Sequence, residues 1–196
     1  MTKFKVFSDF SCPFCYIGFS IGDRLLNEDK DVVIQWIPYI LDEDVPLEGS
    51  NLSSSIPQAQ IDQGYRRIER LGKEYDLIYN NKTNVFNTNL LHIASLYAQS
   101  VDMFLPFARE SFKAIFEDGK NVSDLEIIND IGLKAGLNIQ EMQEALKDEV
   151  FYELLEESRN LAKIYEIDSV PTFVREDNKK VYLLKNYEKF KKDLLD

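Results

Sequence analysis

The sequence predicts an α/β fold in which a mixed β-sheet, built from the two ends of the chain, is interrupted by an inserted α-helical domain. Three observations predict it. The N-terminal segment reads strand, helix, strand. From Gln58 to about Ile167 apolar residues recur at three-to-four spacing, the helical period. Strand signals return only near the end, in Pro171–Arg175 and Lys180–Leu184. A parallel β–α–β unit in front and an antiparallel hairpin behind make one mixed sheet. The chain of 196 residues then divides into a discontinuous sheet-bearing domain, 1–50 and 168–196, and a helical domain, 51–167.

Taken in order, Phe4-Lys5-Val6-Phe7 is the first strand, and a helix-like stretch runs from Tyr16 to Asn27. Val32 to Ile37 is rich in β-branched and aromatic residues and is bounded by Asp31 and Pro38, so it reads as a strand. Trp36 within it reads as core. Leu41 to Ser55 carries Pro46, Gly49 and three consecutive serines, which marks a loop and the clearest boundary. Ile61, Tyr65, Ile68 and Leu71 then begin the helical block. Thr88 is placed to cap a helix carrying Leu91, Ala94, Leu96 and Ala98. Asp102 opens the next, with Phe104, Phe107, Phe112 and Phe116. Ser123 and Glu126 have capping-box spacing. Gly136 stops that helix, and Asn138 caps the one after it. A longer helix spans Glu149 to Ile167. Asp177-Asn178 turns the C-terminal hairpin, and Asn186 caps a last amphipathic helix with Tyr187, Phe190 and Leu194. Such apolar stripes face a core by default.

Composition narrows the function classes. Hydrophobic content of 44% fits a globular chain rather than a disordered one. The net charge of −11 argues against nucleic acid as a partner and against anionic membrane surfaces. No apolar run is long enough for a membrane span. Met1 to Val6 shows no signal-peptide core, so the expected location is the cytoplasm.

The two cysteines of the chain both lie in Cys12-Pro13-Phe14-Cys15, between a strand and a helix. That context makes two thiols a redox pair. Unpaired N–H groups of the first helical turn point toward the Cys12 sulfur, and the helix dipole favours a thiolate there. Pro13 suits the first turn, where a missing N–H costs nothing. Cys15, a turn further on, is placed to attack a mixed disulfide on Cys12. Structural zinc would need four ligands, and one CxxC with the distant His92 falls short. Two inert core cysteines, or a structural disulfide closing so short a loop, fit the pattern less well.

Ser8-Asp9-Phe10-Ser11-Cys12-Pro13-Phe14-Cys15-Tyr16-Ile17-Gly18 resembles the active-site stretch of the DsbA-family thioredoxin-like oxidoreductases. The nearest branch is the FrnE-like one, which typically carries Cys-Pro-Trp-Cys-Tyr-Ile-Gly. Ser169-Val170-Pro171-Thr172-Phe173 is similar to that family's cis-proline loop. Asn87-Thr88 followed by His92 is similar to an Asn-Thr-x-x-x-His element of the branch. Gly119 with Asp124, and Ala135-Gly136-Leu137, match as well, so the resemblance covers essentially the whole chain. It implies a thioredoxin fold interrupted by a helical domain, with Cys12 as nucleophile and Cys15 as resolving thiol. It implies a cis Pro171, with the Val170 backbone facing the Cys12 sulfur and pairing with an extended substrate. On the loop residues alone, a trans proline opening a strand is the simpler reading, and the CxxC motif turns the expectation to cis. Leu184-Lys185-Asn186-Tyr187 replaces the family's Gly-rich turn, and Phe14 replaces the more usual Trp.

The expected activity is thiol–disulfide exchange, reducing or isomerising disulfides of a protein or small-molecule substrate. It needs no metal or organic cofactor beyond the redox-active Cys12–Cys15 pair, with glutathione as an optional co-substrate. Pro13, Phe14, Val170, Pro171 and His92 are the expected substrate contacts. The alternatives are a glutathione-dependent isomerase or transferase of the 2-hydroxychromene-2-carboxylate isomerase and kappa-class type, and a peptide-binding chaperone with incidental thiols. The isomerases and transferases generally carry Ser in place of the first Cys, so Cys12 argues against that chemistry. A lone His such as His92 on an amphipathic helix is more often a hydrogen-bonded structural residue than a site residue, and only the resemblance raises it. Asp9 reads as a turn or capping acid. Phe10, Phe14, Tyr16 and Phe173 fit either an apolar groove or the core.

Overall fold

The computed structural model describes residues 2–182 and 187–195. Alternation along the first strand sets the layers. In β1 (Thr2–Ser8), Phe4 and Val6 face one side of the sheet and Phe7 the other, and all three are buried. β2 (Val32–Pro38) runs parallel to β1, with Val6 opposite Trp36. A parallel pair requires a crossover, supplied by α1 (Pro13–Glu28). β5 (Thr172–Arg175) lies antiparallel on the other edge of β1, with Phe7 opposite Thr172, and β6 (Lys180–Tyr182) closes the hairpin. The strand order is β2-β1-β5-β6. Both ends of the chain thus build one mixed sheet, and the fold is thioredoxin-like.

Between β2 and β5 come β3 (Ser50–Asn51), α2 (Gln58–Gly72), β4 (Asn84–Val85), α3 (Asn89–Ser100), α4 (Phe104–Phe116), α5 (Leu125–Ala135), α6 (Ile139–Ala145) and α7 (Glu149–Ile164). After β6, α8 (Tyr187–Leu195) ends the described chain. One face of the sheet, with Phe4, Val6, Trp36 and Phe173, packs on Ile17, Ile21 and Leu25 of α1 and Phe190 of α8. The other face, with Phe7, Ile37 and Val174, is covered by Ala162 of α7. Each large apolar side chain withdrawn from water contributes about 1.5–3 kcal/mol. α4 joins the sheet layer to the helices, since Phe112 meets Phe10, Tyr16 and Phe19 at ring centroids of 5.1, 5.2 and 5.6 Å.

Several elements differ from the sequence expectation. The helical pattern does not run unbroken from Gln58. Residues 73–88 form a short 3₁₀ turn, a left-handed Asp76 and strand β4, which pairs with β3 inside the expected 41–55 loop. Asn81 makes this possible. Its side chain accepts from the Asn84 N–H and donates to the Asn84 and Ile115 carbonyls, supplying what helical bonds would have supplied. Asp102 is left-handed (φ 59°) and terminates α3 instead of opening α4. Asp124, not Ser123, caps α5 by accepting from the Glu126 N–H, and the Ser123 hydroxyl donates to the Leu47 carbonyl. Gly136 (φ 86°) and Asn138 end and begin helices as expected. α7 stops at Ile164, short of Ile167, because Glu166 turns left-handed. The expected cap at Asn186, and Leu184 to Asn186 as a replacement turn, lie outside the described residues. Among the described residues no helix is long and apolar enough to cross a membrane.

Candidate active site

The dithiol sits where β1 hands over to α1. Cys12 occupies the N-cap with extended backbone (φ −89°, ψ 117°), and Pro13 opens the first turn. Its N–H donates to the Asp9 carbonyl at 3.2 Å, and its carbonyl accepts from the Cys15 N–H at 2.9 Å. Both cysteines are free. They differ in access: Cys12 keeps 6% exposure, whereas Cys15 has none. Burial, and then the neighbouring Cys12 side chain, push the Cys15 thiol well above the ordinary range. The Asp9 N–H donates to the Cys15 sulfur at 3.4 Å.

Opposite the helix start stands the loop before β5. The Val170–Pro171 peptide bond is cis. The Cys12 Sγ donates to the Val170 carbonyl at 3.7 Å, across 158 residues of sequence. Thr172 Oγ braces the loop by donating to the Ser169 carbonyl at 2.6 Å. Gly18 lets the loop approach, because a Cβ there would stand 2.8 Å from Pro171 Cγ.

Pro13, Phe14 and Val170 are half-buried at the rim, and Pro171 is buried against α1. Tyr79 Oη donates to the Pro13 carbonyl at 3.1 Å, and the Arg67 guanidinium stands 5.9 Å from the Phe14 ring centre. Tyr65 lines the same side. Burial, reinforced by its neighbours Cys12 and Glu69, pushes its phenol up to about 12. Phe10, Tyr16 and Phe173 are core residues, so of the four apolar candidates only Phe14 reaches the rim.

His92 does not reach that rim. It is 2% exposed, its Nε2 lies 3.2 Å from Asp9 Oδ1, and it cannot touch a substrate from there. Its expected contact with substrate is replaced by a place behind the dithiol. Asp9 is likewise more than a turn acid. Its Oδ1 does accept from the Ser11 N–H at 3.0 Å, as a turn would have it, but also from Thr88 Oγ at 3.0 Å. Its Oδ2 accepts from the Leu41 N–H at 2.7 Å. Thr88 spends its hydroxyl on Asp9 and makes no side-chain cap on α3. Tyr79 carried no sequence signal, because it lies in the stretch whose pattern reads as helix.

A strand, two thiols at a helix start and a facing cis-proline loop define the class: a thioredoxin-like thiol–disulfide oxidoreductase fold. The chain belongs to the DSBA-like thioredoxin domain family, which matches residues 3–195. Among curated proteins it is similar to YwbO of Bacillus subtilis (strain 168), with 24% identity over 174 residues, covering 87% of this chain and 84% of YwbO. Among solved structures it is similar to the probable DsbA oxidoreductase SCO1869 from Streptomyces coelicolor, at TM-score 0.88 and 20% identity, covering 99% of this chain and 88% of that one. The cytosolic disulfide reductase DsbM from Pseudomonas aeruginosa matches at TM-score 0.71 and 16% identity, over 98% and 96% of the chains, and has also been solved with GSH.

Proposed function

We propose that this protein is a thiol–disulfide oxidoreductase that reduces or isomerises disulfides, with Cys12 as nucleophile and Cys15 as resolving thiol. One observation carries the reading: the Cys12 sulfur lies at the Val170 carbonyl and Cys12 keeps 6% exposure, while Cys15 has none. The Cys12 thiolate attacks a substrate disulfide, forming a mixed disulfide and releasing one substrate thiol. Cys15 then attacks the Cys12 sulfur and releases the second thiol, leaving a Cys12–Cys15 disulfide. The Val170 backbone, with Pro13, Phe14 and Pro171 around it, holds the substrate chain extended beside the nucleophile. The reaction consumes two thiols and one disulfide and calls for no metal or organic cofactor. The GSH-bound form of DsbM supports glutathione as the thiol that returns this pair to the reduced state. The cytosolic setting of that relative supports a cytoplasmic location here.

The test is to trap the intermediate. Cys15→Ser should accumulate a mixed disulfide on Cys12 when challenged with a disulfide substrate, read as added mass. Cys12→Ser should neither react nor turn over. Accumulation by the Cys12 variant instead would reverse the two roles, and turnover by both variants would remove the dithiol from the mechanism.

A further inference from the structure

Two pieces of sequence that the exchange reaction leaves without a role meet at one buried carboxylate. Asp9 stands just before the dithiol and is 1% exposed. Thr88 and His92 are four residues apart at the start of α3, so their side chains share one face. Both reach Asp9 Oδ1, at 3.0 and 3.2 Å. The Ser11 N–H adds a third contact to Oδ1, and the Leu41 N–H binds Oδ2. The carboxylate thus has four polar contacts, three shared on Oδ1 and one on Oδ2. Phe10 packs against the imidazole at a centroid distance of 5.0 Å. The main chain of the same Asp9 serves the dithiol, its N–H aimed at the Cys15 sulfur at 3.4 Å.

We infer that Asp9, Thr88 and His92 form an anchor on the helical block that positions the Asp9 N–H against the Cys15 sulfur and thereby supports the resolving step. The inference rests on the assignment of Cys12 as nucleophile and Cys15 as resolver. Cys15 is wholly buried and attacks as an anion away from the protein surface. A main-chain N–H aimed at the sulfur favours that anion, provided the N–H stays in place. Asp9 holds it in place because its side chain is tied to α3 and to the segment after β2. In the step itself, Cys15–SH and the Cys12–S–S–R mixed disulfide give the Cys12–Cys15 disulfide and R–SH. The S–S bond to the substrate breaks, the departing sulfur takes the electron pair, and it gains one proton for the one Cys15 loses. Cys12 meets the Asp9 main chain through its own N–H, which donates to the Asp9 carbonyl at 3.2 Å, whereas its sulfur lies at the Val170 carbonyl and makes no use of the Asp9 N–H.

A chromogenic aryl disulfide separates the two steps, since Cys12 attack releases one coloured thiolate and resolution by Cys15 the second. Thr88→Val and His92→Leu should slow the second release about tenfold or more, the scale of a lost hydrogen bond to a charged group. The first release should stay within about twofold of wild type. His92→Gln keeps an N–H donor and should restore the second phase to within about threefold. Thr88→Val replaces one hydroxyl by a methyl, so the test survives even if Asp9 variants fail to fold. Equal slowing of both phases, or of neither, would reduce the cluster to a structural contact. A His92→Gln variant as slow as His92→Leu would mean that the imidazole moves a proton and does not merely anchor. Absence of the first release in wild type would instead overturn the assignment of Cys12.

Discussion

A carboxylate withdrawn from water stays charged only where donors replace its lost hydration. Asp9 is such a case. Burial alone would raise its pKa. The hydrogen bond and charge of His92, with the Leu41 and Ser11 N–H groups, outweigh burial and hold it below its ordinary value of 3.8. The sign for stability follows. A group with a depressed folded pKa stabilises fully above its unfolded pKa, about 3.9, and loses that contribution as pH falls through the folded value. Asp9→Asn should therefore lower unfolding free energy by about 2–4 kcal/mol at neutral pH, since donors lose a charged acceptor inside the protein. The gap to wild type should narrow as pH falls from about 5 to below about 4. Urea titrations across that range read it, and a gap that widens on acidification would contradict it. The sequence showed the two cysteines at a helix start, because their spacing is local. It showed only the local part of Asp9, the turn bond to Ser11. The contacts that make Asp9 a hub come from 32, 79 and 83 residues away, and no local pattern encodes them.

Elements meet the site through small residues. α1 lies so close to the loop before β5 that a Cβ at Gly18 would come within 2.8 and 2.9 Å of the Pro171 ring. A proline ring is a stiff neighbour, so the loop itself would have to move. Gly18→Ala should cost about 1–3 kcal/mol, the usual scale of overpacking. It should also slow disulfide attack by Cys12, since the Val170 carbonyl shifts with the loop. Gly64 is the control: it sits in α2, and a Cβ added there would meet nothing within 4 Å. Gly64→Ala should stabilise by about 0.5–1 kcal/mol through helix propensity alone. Thermal unfolding of the pair measures both, and equal shifts would refute the close-approach argument. Strand and helix identities were legible where the period was strong, as in β1, α1, α4 and α7. They were lost at 73–88, where Asn81 satisfies the backbone by tertiary bonds. They also shifted at termini, where left-handed Asp102 and Glu166 decide the end.

At the scale of the whole molecule, the boundaries 1–50 with 168–196 and 51–167 stay our proposal for how the chain is organised, although Phe112 ties the helices into the same core as α1. That shared core places an ionised Asp9 directly behind the dithiol, and it bears on redox poise. A dithiol becomes a strong oxidant when its reduced form is stabilised as a thiolate. Here Pro13 and Phe14 bring no charge between the cysteines. Burial holds Cys15 as a neutral thiol. The net charge of −11 adds no stabilisation, although distant surface charges are largely screened. The reduced form therefore gains little, and the disulfide is correspondingly less oxidising. The expected reduction potential lies nearer thioredoxin, about −270 mV, than the oxidant DsbA, about −120 mV. Such a couple donates electrons to substrate disulfides in a reducing compartment rather than inserting disulfides. Equilibration in glutathione buffers, with free thiols counted by alkylation, gives the value directly. A result near the oxidising end would reverse the proposed direction of electron flow and, with it, the proposed cytoplasmic setting.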